Sequence, residues 1–183
     1  MRNSFKLVLI LALMVAMVFA FAACGEGGSS DNGGASGDVK GDVIDAGNVS
    51  AICPSGWMNV PVNDLWSDDP EATDPDALRF YKGAKSDMDL FSTPSVGITY
   101  YDENTTILDV KDWYDNVVDL DPIEINGVTW TGFTGEFLEG YPSATLTSDD
   151  GRCQVTVDLH DYDGKVLTLD DAEVLAILGS ITY

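Results

Sequence analysis

Ile123-Glu124-Ile125-Asn126-Gly127-Val128-Thr129-Trp130 decides the fold class of this chain. Two short runs flank Asn126-Gly127, a dipeptide that tolerates the positive φ angles required at the tip of a two-residue hairpin. The pattern recurs downstream, where runs at about 141–148 and 152–160 are joined by Asp149-Asp150-Gly151. In the second of these, Cys153, Val155, Val157 and Leu159 share one face and Gln154, Thr156, Asp158 and His160 the other, the period of a half-buried strand. A meander of antiparallel strands is expected. Gly132 stands where the apolar phase shifts from Trp130 to Phe133, which predicts a β-bulge.

Upstream, 78–82 and 95–101 also have strand character: Val96, Ile98 and Tyr100 alternate with Gly97, Thr99 and Tyr101. Earlier still, 49–53 and 57–60 flank the turn Pro54-Ser55-Gly56. Residues 67–76, SDDPEATDPD, carry two prolines and no periodicity and read as an acidic loop. The period changes after Asn104. Thr106 and Asp109 resemble a capping box, and Ile107, Val110, Tyr114 and Val117 recur at helical spacing, so a helix is predicted over 106–118, ended by Pro122. A second helix is predicted over 170–180, with Asp170 as N-cap, Asp171 and Glu173 in its first turn, and Val174, Ile177, Leu178 and Ile181 on one face. Strands, a helix, a meander and a closing helix make an α+β domain, a largely antiparallel sheet with both helices packed on it.

That domain occupies 46–183, a length able to bury one good core. Ahead of it, Arg2 and Lys6 precede an unbroken apolar run from Leu7 to Ala23, shorter than the roughly 20 residues needed to span a bilayer. Residues 1–23 read as an export signal. Phe21-Ala22-Ala23-Cys24-Gly25 resembles the lipobox of bacterial lipoproteins, with Phe21 where Leu is usual. The resemblance implies cleavage before Cys24 and acyl chains on its side chain, with stable anchoring because each buried methylene contributes about 0.8 kcal/mol. Residues 24–45 then form the lipidated cysteine and a Gly/Ser-rich leash, and its glycine-rich stretch has a reach of about 23 Å as a flexible coil.

Acidic residues number 31 against 9 basic ones, a formal charge of −22. Such a surface repels polyphosphate, so nucleic acid is excluded as a partner. It also repels anionic lipid, which leaves the acyl chains on Cys24 to hold the bilayer. With Cys24 assigned to lipid, Cys53 and Cys153 remain, an even number in an oxidising compartment, and a disulfide between them is expected.

Chemistry is sparse. His160 is the single histidine of the chain, and it is expected to be an exposed residue at a strand end. No nucleophile elbow, phosphate loop or dinucleotide fingerprint occurs. A hard cation such as Ca2+ could use Asp161 and Asp163 in the Asp161-Tyr162-Asp163-Gly164 turn. As an EF-hand that stretch fails, because Leu159 occupies the first ligand position and Asp170 the twelfth; an ordinary Asp-Gly turn is the alternative. Asp68 and Asp69, with Glu71, Asp74 and Asp76, are the second cation candidate, against a solvated loop. Of Trp57, Trp66, Trp113 and Trp130, Trp66 beside the acidic loop is expected to be exposed and is the candidate ligand contact.

The order of elements is similar to the PsbP-like α/β/α sandwich, and Pro54-Ser55-Gly56-Trp57 resembles the opening of many such exported domains. Lys82-Gly83-Ala84-Lys85-Ser86, Trp130-Thr131-Gly132-Phe133-Thr134 and Leu169-Asp170-Asp171-Ala172-Glu173-Val174 resemble stretches of uncharacterised lipoproteins of Gram-positive bacteria. The resemblance covers about 47–183 and implies a fold without transferring an activity. The expected function is a membrane-anchored, extracytoplasmic, non-enzymatic binding or accessory module of an envelope complex, facing outward from the bacterial cell membrane. The alternatives are a carboxylate-dependent hydrolase and a small solute- or divalent-cation-binding protein.

Overall fold

The computed structural model describes residues 39–183; the signal segment 1–23, Cys24 and the leash as far as residue 38 lie outside the described residues. Strands β1 (Gly41–Asp45) and β2 (Ser50–Pro54) pair as a separate two-stranded ribbon. The remaining strands are β3 (Trp57–Asn59), β4 (Ala77–Lys82), β5 (Ser95–Tyr100), β6 (Asp115–Asp119), β7 (Ile123–Ile125), β8 (Val128–Leu138), β9 (Tyr141–Ser148) and β10 (Cys153–Asp158). They form one sheet in the order β3-β4-β5-β10-β9-β8-β6, with β7 beside β8. Every pairing is antiparallel. From the central strand β5 the chain crosses to the far edge at β6 and returns through the β8-β9-β10 meander, so that β10 closes the gap beside β5. The hairpin at Asn126-Gly127 forms as its sequence requires, with φ of 51° and 83° and Ile125 paired with Val128.

One helix is described, α1 (Ala172–Ser180), and it packs mainly on β2 and also touches β7. Its buried residues Val174, Ile177 and Leu178 join Val49, Ala51 and Cys53 of the ribbon segment against one face of the large sheet. That face contributes Leu78, Phe80, Val96, Ile98, Trp130, Ala144, Leu146, Cys153, Val155 and Val157. Leu159 packs at its margin, on the face its alternation predicted. Fully burying one such side chain is worth about 1.5–3 kcal/mol, and this single layer is the core. The helix end is pinned to the hairpin, since Asn126 Nδ2 donates to the Gly179 carbonyl at 2.7 Å. Edge pairing extends past it: the Ser50 and Thr182 backbones exchange hydrogen bonds of 2.9 and 3.0 Å.

Several expectations need correction. Residues 106–118 are not a helix: a 3-10 turn at Lys111–Trp113 leads directly into strand β6. The Thr106/Asp109 capping box is replaced by shorter-range contacts, Asp102 Oδ1 accepting from the Asn104 amide and the Thr105 hydroxyl, and Asp109 Oδ1 from the Lys111 amide. The β-branched Val117 and Val118 gain more from a sheet edge than from a helix. Among the described residues α1 is the one α-helix and packs on one side of the sheet, so the expected α/β/α layering, with helices on both sides, is not supported. Its N-cap is Asp171, one residue later than expected.

The bulge lies between Glu136 and Leu138, not at Gly132. Register runs unbroken through Gly132, so Phe133 points to the opposite face from Trp130. The glycine serves close approach, because a Cβ there would fall 1.9 Å from the Thr145 carbonyl oxygen. The stretch read as leash includes a strand: β1 begins at Gly41, and Ile44 packs against the core. Glycine content concealed a strand whose first residue lies against the Cys53 carbonyl, too close for a Cβ.

The expected disulfide is absent. Cys53 on β2 pairs in register with Asp42, whereas Cys153 opens β10 opposite Tyr100 in the other sheet. Both are free thiols. Each is held by its own ladder, and a bridge demands a specific Cβ separation that these ladders do not provide.

Candidate functional site

Among the described residues no helix covers the face of the large sheet turned away from α1, and its side chains follow from strand alternation. Register places Arg79, Gly97, Thr156, Thr145 and Phe133 in one row across β4, β5, β10, β9 and β8. Flanking rows supply Thr99, Gln154, Thr147 and Thr131 on one side and Ser95, Ser143 and Gly135 on the other. A face of hydroxyls and small residues leaves little apolar area to drive coverage by another element.

A cavity of about 340 Å³ opens on this face, lined among others by Arg79, Ser95, Gly97, Ser143, Thr156 and Asp158. Two glycines shape it. At Gly97 a Cβ would lie 3.3 Å from Arg79 Nη2, 3.6 Å from Cζ and 3.7 Å from Nε. Three such similar distances mean that the guanidinium lies flat over the backbone, which a larger residue would lift. At Gly135 a Cβ would lie 3.0 Å from Tyr114 Cβ, so Tyr114 sits down against β8 there. Tyr114 meets Phe133 edge-on, with ring centroids 5.2 Å apart, and tilts against Phe137 at 5.6 Å. Phe137, Leu138 and Tyr141, at the tip of the β8-β9 hairpin, complete an aromatic and aliphatic rim that is mostly exposed.

The cavity wall holds one cation, Arg79, and one anion, Asp158, which form no ion pair with each other. Asp158 is engaged by its own chain, its Oδ2 accepting from the Tyr162 hydroxyl at 2.8 Å and its Oδ1 from the His160 amide at 2.9 Å. Burial, and then the bond to Asp158, push the Tyr162 phenol up, so it stays a proton donor to that carboxylate. Among the described residues Arg79 makes no ion pair, whereas Lys82 pairs with Asp171 and Glu173, and Lys111 with Asp119. Beside the cavity floor, the buried Thr145 hydroxyl has no hydrogen-bond partner among the described residues.

His160 is not the exposed strand-end residue expected. Its ring stacks on Tyr141 at 4.4 Å and meets Tyr162 edge-on at 4.6 Å, and Nδ1 is 2.8 Å from the Gly140 carbonyl oxygen. It holds the rim residue Tyr141 in place. Spacing hid this because Tyr141 and His160 meet only across the β9-β10 pairing.

The cation candidates are not brought together. Among the described residues no three of His, Cys, Asp or Glu converge in a metal-binding arrangement. Asp161 Oδ1 accepts from the Gly164 amide, Asp163 stands at φ 53° in the turn, and Asp69 Oδ1 accepts from the Glu71 amide. The Asp161 and Asp69 carboxylates cap their own turns, and Asp68 is exposed beside Asp69. Trp66 is 96% exposed. It lies in the loop before β4 and is not among the residues of the cavity wall. A second, shallower cavity is lined by Asp45, Gly47, Asn48, Val49, Ser50, Thr182 and Tyr183. Among the described residues each of these two cavities is lined by one acidic side chain, Asp158 in the first and Asp45 in the second. Sequence reasoning missed Arg79. The available signal was a lone arginine opposite a glycine on strands otherwise rich in hydroxyls.

Burial pushes the Cys53 thiol up to about 11 and the Cys153 thiol up to about 12, with Asp42 and Asp150 adding to the respective shifts. Both remain protonated and chemically quiet near neutral pH.

No family model matches the chain, and no curated protein matches it. Among solved structures the chain is similar to one described as the solution structure of cyanobacterial PsbP (CyanoP) from Synechocystis sp. PCC 6803. Identity is 14%, the match covers 89% of this chain and 98% of that one, and the TM-score is 0.36, a value at which the likeness carries no argument.

Proposed function

We propose that this chain is a lipid-anchored, extracytoplasmic, non-enzymatic binding module, fastened by acyl chains on Cys24 and engaging its ligand or envelope partner through the uncovered face of the large sheet. The observation that carries the reading is the cavity over Gly97, where an arginine without an ion pair lies beside an exposed aromatic rim. Pockets with a mainly apolar wall and a few convergent polar groups are the usual form of small-ligand sites. The export signal expected over 1–23 and the lipobox resemblance at Phe21 to Gly25 support the location. The buried thiols suit an oxidising compartment, because oxidation proceeds through a thiolate that neither cysteine presents.

Expression of the full-length chain in a bacterium, with a photo-crosslinking residue at Tyr141 or, as control, at Glu124, tests both halves of the proposal. Expected are a metabolically acylated product in the membrane fraction, its release on Cys24→Ser, and adducts from position 141 that position 124 does not form. A non-acylated chain in the cytosol overturns the anchor, and equal or absent crosslinking from the two positions overturns the open face as the binding surface.

A further inference from the structure

Resting on the open-face reading, we propose that the cavity is a carboxylate site: Arg79 receives a monoanionic carboxylate whose apolar or aromatic body lies against Tyr114, Phe137 and Tyr141. The guanidinium contacts the sheet through its flat face, at 3.3–3.7 Å from the position of a Gly97 Cβ. Its N–H edges are therefore left for a partner in the plane of the group. Guanidinium and carboxylate match as two parallel donors facing two acceptors, a geometry that a lysine ammonium does not reproduce.

Nothing within the described chain fills that role. Asp158, the one carboxylate of the cavity wall, forms no ion pair with Arg79, and both its oxygens are taken by Tyr162 and His160. Arg79 is exposed at the cavity of a protein of formal charge −22, so its guanidinium is reachable from solution. The same balance selects the charge of the ligand. Arg79 offers one positive charge, which a monoanion matches, and with the Asp158 carboxylate in the same wall a phosphate dianion meets more repulsion than a monoanion does. The hydroxyls of Ser95, Ser143 and Thr156 supply secondary donors around the arginine. Phe137 and Tyr141, 59% and 51% exposed, have apolar surface to lose to the ligand body. A volume of about 340 Å³ accepts a small acid or the last residue of a peptide, and both present the same carboxylate.

Titration calorimetry on the full-length chain isolated from the expressing bacterium distinguishes these. The probes are N-acetylphenylalanine, its uncharged amide, a hexapeptide ending in Phe with a free or amidated C-terminus, and inorganic phosphate. The acid and the free peptide are expected to bind and their amides not, with phosphate failing to compete. Arg79→Gln is expected to weaken acid binding by about tenfold or more, the loss for one charge-assisted pair, with Arg79→Lys intermediate. A peptide that binds more tightly than the small acid identifies a chain terminus as the source; equal affinity identifies free acids. Equal binding of acid and amide, indifference to Arg79→Gln, or no binding of the acid overturns the proposal. If crosslinks from position 141 persist in that case, the open face stands as a binding surface and the carboxylate assignment alone falls.

Discussion

The two faces of the large sheet are built from the same strands and have opposite fates. On the covered face β4, β5, β9 and β10 present Leu78, Phe80, Val96, Ile98, Ala144, Leu146, Val155 and Val157, all buried under the β1-β2 ribbon and α1. On the other, the intervening positions of those strands are Arg79, Gly97, Thr99, Ser143, Thr145, Thr147, Gln154 and Thr156, with no helix above them among the described residues. Stability resides on the first face because burial of apolar area is its main source. Recognition can reside on the second, because its groups are not consumed by packing. The contrast is one of composition: among the described residues no helix covers the second face, whose rows of hydroxyls offer one little apolar area to bury.

The largest test of this contrast is thiol reactivity. Cys53 and Cys153 both lie on the covered side, 7% and 0% exposed. If that face opens only on global unfolding, alkylation of both is suppressed by the whole folding free energy, about 5–15 kcal/mol for an ordinary domain. Mass spectrometry after brief iodoacetamide treatment should find neither modified in buffer and both modified in denaturant, with no mass change on reduction beforehand. A reducible link between them would contradict the fold. Next in size is truncation within the core. Phe80→Ala should cost about 3–5 kcal/mol, read as a fall in the urea midpoint, whereas Thr156→Ala on the open face should stay within about 0.5 kcal/mol. Similar losses at both positions would mean that the second face is packed after all.

Gly132→Ala follows. Its added methyl would meet the Thr145 carbonyl at 1.9 Å, so β8 and β9 must part locally, at about 1–3 kcal/mol for an overpacked site. This glycine also marks how far the sequence could be read. The Asn126-Gly127 hairpin, the alternation of β10 and the closing helix were legible because each signal is local and its chemistry has one outcome. The change of apolar phase at Gly132 had two outcomes, a bulge or a side chain on the far face, and the choice depended on Tyr114 arriving from β6's side to cover Phe133. Residues 106–118 misled for a similar reason. Ile107, Val110, Tyr114 and Val117 fit a helical stripe, but the stripe had no surface to pack on, and helices in proteins draw most of their stability from such packing. The candidate site was less legible still, since Arg79, Gly97, Asp158 and Tyr141 come together only through strand order.

The smallest effect concerns how the covered face is sealed at the β9-β10 turn. Ser148 Oγ donates to Asp150 Oδ1 at 2.7 Å and accepts from the Cys153 amide at 2.9 Å, and the Tyr183 hydroxyl donates to the same carboxylate at 2.9 Å. Burial acts to raise the Asp150 carboxyl, but the donors Ser148, Arg152 N–H and Tyr183 outweigh it and hold the group below the ordinary carboxylate value. The folded state therefore binds this proton less readily than the unfolded chain does. Asp150 contributes fully above the unfolded value, about 4, and its contribution is lost as pH falls through the lower folded value. The group is largely open to water, so the effect is modest. Total stability is a poor measure of it, because protonating the other acidic residues relieves self-repulsion over the same range. The difference in urea midpoint between the wild-type chain and Asp150→Asn removes that common background. This difference should favour wild type at pH 6 and shrink towards pH 3, while Tyr183→Phe should narrow it without moving the open-face variant Thr156→Ala; a gap that widens on acidification would mean that the carboxylate is strained where it sits instead of held.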